Sequence, residues 1–135
     1  MPSEVVVSRG SVLEGVDPVV VAAVETPDGT NLVQGDLTGI AGSRIVYSIF
    51  DRNATAPATA LATGTLDETV VIFDTMQTDG YWGLDDAGYN FRSSFPTASF
   101  PNGGGSYRIE IHGVTTAFNI VKWIAYVDVV EAMAV

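Results

Sequence analysis

Apolar and polar residues alternate strictly from Ser106 to His112, with Tyr107, Ile109 and Ile111 on one parity and Arg108, Glu110 and His112 on the other. That period of two is the signature of a strand buried on one face. The run from Asn119 to Glu131 repeats it: Val121, Trp123, Ala125, Val127 and Val129 form a clean apolar parity, and Ile120, Lys122, Ile124, Tyr126 and Asp128 form a mixed one. This second strand is longer than common strands, so a bulge or bend is expected along it, letting it serve two sheets. Earlier strands are predicted over Val19–Glu25, Arg44–Asp51, Ala58–Thr65 and Thr69–Thr75, all dominated by Val, Ile, Thr, Phe and Tyr. Helical periodicity is nowhere sustained.

Turn chemistry separates these runs. Pro27-Asp28-Gly29, Asp79-Gly80 and Asn102-Gly103-Gly104-Gly105 supply backbone angles that strand residues avoid. The segment from Trp82 to Pro101 reads as the longest irregular stretch, and Pro96 and Pro101 oppose a helix there. Several short strands with one apolar face each are best buried by packing two antiparallel sheets face to face. The expected fold is all-β: an antiparallel β-sandwich, immunoglobulin-like, with a jelly roll as runner-up. One domain spans residues 1–135, and residues 1–10 form an N-terminal arm or an edge strand.

Composition supports a packed core, because 47% of the 135 residues are hydrophobic and 16% charged. Six Lys and Arg against sixteen Asp and Glu give a net charge of -10. Such a field repels phosphate backbones and anionic lipid, which argues against nucleic-acid and membrane partners and favours a soluble, acidic exterior or a basic partner. Without cysteine there is no disulfide, thiolate metal site or thiol nucleophile. Met1-Pro2-Ser3-Glu4 lacks the basic and apolar regions of an export signal. Lys122, Asp128 and Glu131 interrupt the apolar C-terminal run well before a membrane span, which makes it a core strand.

Catalytic constellations are not legible. His112 is the single histidine, and Glu110 shares its strand face, but no nucleophile or third member accompanies them. Asp79, Asp85, Asp86 and Asn90 supply oxygens that a Ca²⁺ ion would accept, yet the same side chains cap turns without any ion. Asn102 to Ser106 lacks the Lys-Ser or Lys-Thr ending and the helix of a phosphate loop, and reads as a hairpin. The expected protein has no catalytic residues, metal or cofactor. Its candidate partner-binding residues are Tyr81, Trp82, Tyr89 and Phe91, aromatics in and around one loop, with core plugging as the alternative. Val5, Val6 and Val7 are the other candidates, as an arm pairing with a neighbouring subunit or as an edge strand.

Phe73-Asp74-Thr75, Asp79-Gly80-Tyr81-Trp82, Asp85 through Arg92 and Tyr107-Arg108-Ile109-Glu110 resemble a pattern in small β-sandwich structural proteins of tailed phages. Gly15-Val16-Asp17-Pro18-Val19, with Pro27-Asp28-Gly29 and Leu37-Thr38-Gly39 after it, is similar to immunoglobulin-like domains of phage baseplate and decoration proteins. The resemblance covers about half the chain and brings no catalytic or ligand residue. It implies a non-enzymatic virion protein: a capsid decoration protein on the shell surface, made in the host cytoplasm, binding the major capsid protein or another virion protein as a dimer or trimer. A tail or baseplate component, or a carbohydrate-binding module using Tyr81 and Trp82, is the alternative.

Overall fold

The computed structural model describes residues 5–13, 15–52, 60–77, 89–96, 100, 105–116 and 119–130. Among the described residues nine strands run in chain order: β1 (Val5–Leu13), β2 (Val19–Ala22), β3 (Leu37–Thr38), β4 (Ile45–Asp51), β5 (Ala62–Leu66), β6 (Ile72–Gln77), β7 (Tyr89–Ser94), β8 (Ser106–Thr115) and β9 (Ile120–Val130). A one-turn helix, α1 (Glu68–Val71), precedes β6, and a 3-10 turn at Gln34–Asp36 precedes β3. The large sheet has the order β1-β9-β8-β4-β5, with β3 also paired to β8, and the small sheet has the order β2-β7-β6.

All pairings are antiparallel except β1 with β9, which is parallel. A parallel pair needs a long connection, and here the whole domain lies between the two strands. The β2-β7-β6 sheet facing the β4-β8-β9 sheet, widened by β5, is the immunoglobulin order. The fold is an all-β sandwich of that kind.

The core forms where alternation places it. Tyr107, Ile109 and Ile111 of β8 and Val121, Trp123, Ala125, Val127 and Val129 of β9 are all buried. They meet Val20, Ile72, Phe91 and Phe95 from the opposite side in one continuous cluster. Phe91 of the small sheet stands edge-on to Trp123 of the large one, with centroids 5.0 Å apart and planes at 70°. Edge-to-face pairs add about 0.5–1.5 kcal/mol beyond burial, so this contact locks the layers in register. The Trp123 indole N–H is buried without a hydrogen-bond partner among the described residues. At Gly113 the approach is close: a Cβ there would lie 2.8 Å from Leu37 Cδ2 and would push that side chain aside where β3 pairs with β8.

Several sequence expectations are corrected. The β8–β9 register runs unbroken from Ser106↔Asp128 to Val114↔Ile120, so the last strand carries no bulge in that ladder and serves one sheet. The strand expected over Thr69–Thr75 is split, since Asp67 caps α1 by accepting the Thr69 amide at 2.9 Å and its hydroxyl at 2.6 Å. That local bonding draws the chain into a turn before β6. The strand expected to reach Glu25 stops at Ala22. Glu25 instead bridges Asn31 across a turn in which the Gly29 amide donates to the Thr26 carbonyl at 2.9 Å. The strand expected over Ala58–Thr65 begins at Ala62, and residues 58 and 59 lie outside the described ones. The presumed irregular stretch contains β7 (Tyr89–Ser94), whose first three residues are all buried and so show no alternation.

Candidate functional site

The parity that buries one side of β8 and β9 turns the other side outward and makes the exposed face of the large sheet. Register aligns it in three rungs across β4, β8 and β9: Phe50–Arg108–Tyr126, Ser48–Glu110–Ile124 and Val46–His112–Lys122. Each of these side chains is half-buried, so the face presents aliphatic and aromatic surface between its charges. Ile120 and Val130, at the two ends of β9, are 55% and 49% exposed.

The charges on this face are held in place. Glu110 takes Lys122 Nζ on one oxygen at 2.6 Å and Arg108 Nε on the other at 2.8 Å. Partial burial pushes the Glu110 carboxyl up, but the hydrogen bonds from Lys122 and Arg108 and their charges outweigh it and hold it below its ordinary value. The Arg108 guanidinium also lies 5.0 Å from the centroid of the Phe50 ring. Arg52 stacks 4.9 Å over Tyr126 and sits 3.7 Å from Asp128, whose Oδ1 accepts the Ser106 hydroxyl at 2.7 Å. Cation–π placement of this kind fixes a guanidinium flat against a ring. Three of the six Lys and Arg therefore gather here against two carboxylates, in a chain of net charge -10. Sequence reasoning missed this face because the pairing of Phe50 with Arg108 and Tyr126 depends on strand order, although the mixed outer parity of β9 was its visible trace.

The sequence candidates are distributed differently. Tyr89 and Phe91 are buried, with Tyr89 edge-on to Phe73 at 6.0 Å and Phe91 on Trp123. They are core residues and present no ring to a partner, because β7 lies between β2 and β6 with its first residues inside the sandwich. Tyr81 and Trp82 lie outside the described residues, as do Asp79, Asp85 and Asp86. The backbone of Val5, Val6 and Val7 pairs with Lys122, Trp123 and Ile124 of the same chain, which makes the segment an edge strand of its own sheet.

Asn90 is also structural. Its carbonyl oxygen accepts the Val24 amide at 2.7 Å, and its NH₂ group donates to the carbonyls of Val24 and Leu32 at 2.8 and 2.9 Å. Both amide hydrogens and one oxygen lone pair are thus committed to the 24–32 hairpin from a fully buried position. His112 lies on the outer face, but both oxygens of its neighbour Glu110 are engaged by cations. Among the described residues no group of three or more His, Cys, Asp or Glu could hold a metal ion, and no helix is long and apolar enough to cross a membrane. An open cleft of about 300 Å³ lies beside α1 and β7, between Val70, Phe73 and Ser94. No family model matches the chain, and neither a curated protein nor a solved structure matches it.

Proposed function

We propose that the protein is a non-enzymatic structural component of a tailed-phage virion, a capsid decoration protein that holds the shell through the outer face of its large sheet. The observation that supports this reading is the composition of that face. Elsewhere the chain is strongly acidic, while here Phe50, Tyr126, Val46 and Ile124 surround a charge set that is locally balanced. Docking such a surface desolvates rings and aliphatic groups without bringing a large net charge against the partner. The remaining acidic exterior stays in water and keeps decorated particles apart. With Val5 to Val7 engaged to β9, the sheet face replaces the N-terminal arm as the attachment surface.

The test is copy number and location in purified particles, followed by rebinding to stripped shells. The wild-type chain is expected in many copies over the shell. Ile124→Asp, which puts a carboxylate beside Glu110, is expected to weaken rebinding at least tenfold, which is about 1.4 kcal/mol, while its circular dichroism stays that of a β protein. Absence from particles, or confinement to the tail, overturns the decoration role.

A further inference from the structure

Among the described residues the two sheet paths end in β1, β5, β2 and β6, and these edges are not alike. β1 and β2 lie against each other where the two sheets meet. β6 is guarded: the Gln34 amide donates to the Asp74 carboxylate at 2.8 Å, and the Gln34 side chain donates to the Ile72 carbonyl at 2.8 Å. β5 ends the large sheet without such a guard among the described residues, and Ala60 through Leu66 carries neither a charge nor a proline. Natural edges are commonly blunted by charges, prolines or bulges. Here the irregularity is confined to the entry, where the Leu61 amide donates to the Ile49 carbonyl at 2.7 Å beside the Ile49–Ala62 pair. The plain edge from Ala62 to Leu66 in a chain of net charge -10 is therefore a feature in want of a partner.

Register shows what that edge offers. The Arg52 amide donates to the Ser106 carbonyl at 2.9 Å, so the even-numbered positions of β4 direct their backbone groups to β8 and the odd-numbered ones to β5. The partners of those odd positions, Ala62, Gly64 and Leu66, therefore face β4. The N–H and C=O groups of Thr63 and Thr65 face the open side.

We infer that β5 pairs antiparallel with β5 of a second copy of this chain, about a two-fold axis through Gly64. In that register Thr63 of one copy stands opposite Thr65 of the other, twice, and each pair exchanges both hydrogen bonds through the groups that face outward. The exposed threonine side chains become cross-strand neighbours on the outer face, a favourable pairing, and Ala62 meets Leu66 beneath them. Gly64 falls on the axis, and Tyr47 already fills the space under it: a Cβ there would lie 2.7 Å from the Tyr47 hydroxyl.

The occupant is a second copy because the strand is self-complementary about Gly64, and because Ala60 through Leu66 brings no charge of its own against a second chain of charge -10. A two-fold axis perpendicular to the sheet keeps both outer faces on the same side. The dimer then presents two copies of the face to a repeating surface, which raises avidity without a new contact. The dimer does not depend on what that face binds.

The test is sedimentation of the full chain from about 1 μM to about 1 mM. Monomer and dimer are expected in concentration-dependent equilibrium, with concentration-dependent slowing of hydrogen exchange at the Thr63 and Thr65 amides. Thr65→Pro removes one outward N–H without touching a β4 bond, and the double variant Thr63→Lys/Thr65→Lys puts like charges opposite each other. Each is expected to weaken the dimer at least tenfold, and the lysine variant keeps the test decisive if the proline variant fails to fold. Ile124→Asp is expected to leave the dimer intact. A chain monomeric at every concentration, a dimer unchanged in the lysine variant, or a dimer lost only in Ile124→Asp overturns the inference.

Discussion

The β8–β9 ladder and the β6–β7 ladder sit on opposite sides of one core and are built on different rules. Between β8 and β9 the register is continuous over Ser106 to Val114 and every second residue is buried, so periodic burial specifies the pairing, with Glu110–Lys122 and Ser106–Asp128 bonded across it on the outer face. Between β6 and β7 the register shifts between Ile72↔Phe91 and Gln77↔Tyr89, and the approach to β6 is a helical turn capped by Asp67. There, buried polar groups stand in for the missing alternation. Asn90 ties β7 to the 24–32 hairpin, and Glu68, 2% exposed, ties α1 to the loop before β4. One side is held by periodic burial, the other by individual hydrogen bonds.

The largest expected effect is on the burial-driven side. Trp123→Ala is expected to cost about 3–5 kcal/mol, the range for truncating a buried Trp, measured by denaturant unfolding. Trp123→Phe is expected to lose less than half as much. It keeps a ring against Phe91 and removes the indole N–H that is buried without an acceptor among the described residues. Equal losses for both variants would mean that the N–H has a partner and contributes to stability. On the other side, Asn90→Leu keeps the branching of the side chain but strands the Val24 N–H and the Leu32 C=O. The expected cost is about 1–3 kcal/mol, from unsatisfied buried groups. Hydrogen exchange should show the 24–32 hairpin losing protection while the β8–β9 amides keep theirs. Uniform loss across both regions would contradict the division.

This division also explains what could be read from the sequence. Tyr107 to His112 and Val121 to Val129 announced themselves through the period of two, and with them the inward position of Trp123 and the outward positions of Arg108, Glu110 and His112. β7 was invisible because Tyr89, Asn90 and Phe91 are buried together, so no polar residue alternates with an apolar one. Aromatic clustering there looked like a binding loop, when its reason is contact with Phe73 and Trp123 from other strands. Asn90 read as a turn-capping residue beside a candidate cation loop, because a side chain that bonds Val24 and Leu32, over fifty residues away in sequence, leaves no local trace. The sheet face was legible only by half: the parity of β9 exposed Lys122, Ile124 and Tyr126, but Phe50 and Arg52 join them through pairing across β8 and through ring stacking.

The smallest expected effect separates the two regions by pH. Glu68 and Glu110 both have carboxyls held below their ordinary value against the opposing effect of burial. For Glu68 the cause is hydrogen bonds from the amides of Gly42, Glu68 and Arg44, with the Arg44 guanidinium 3.6 Å away; for Glu110 it is Lys122 and Arg108. A depressed folded-state pKa means that the unfolded chain binds the proton more readily. Each group therefore contributes stability that is present above the unfolded carboxylate value of about 4.3 and is lost as pH falls through the lower folded value. General relief of repulsion as other acids are protonated acts in the opposite direction in so acidic a chain, so the informative quantity is the difference between wild type and variant. Glu68→Gln is expected to lower Tm at pH 7, and the gap to wild type should close as pH falls below the unfolded value of about 4.3 and through the lower folded one, as the wild-type carboxylate takes up its proton. The same gap for Glu110→Gln is expected to be smaller and to shrink with added salt, since Glu110 is more exposed and its partners are ionic. Thermal unfolding across that pH range, at low and high salt, checks both. A Glu68→Gln gap that stays constant with pH would mean that the loop before β4 is held by packing and not by the buried carboxylate.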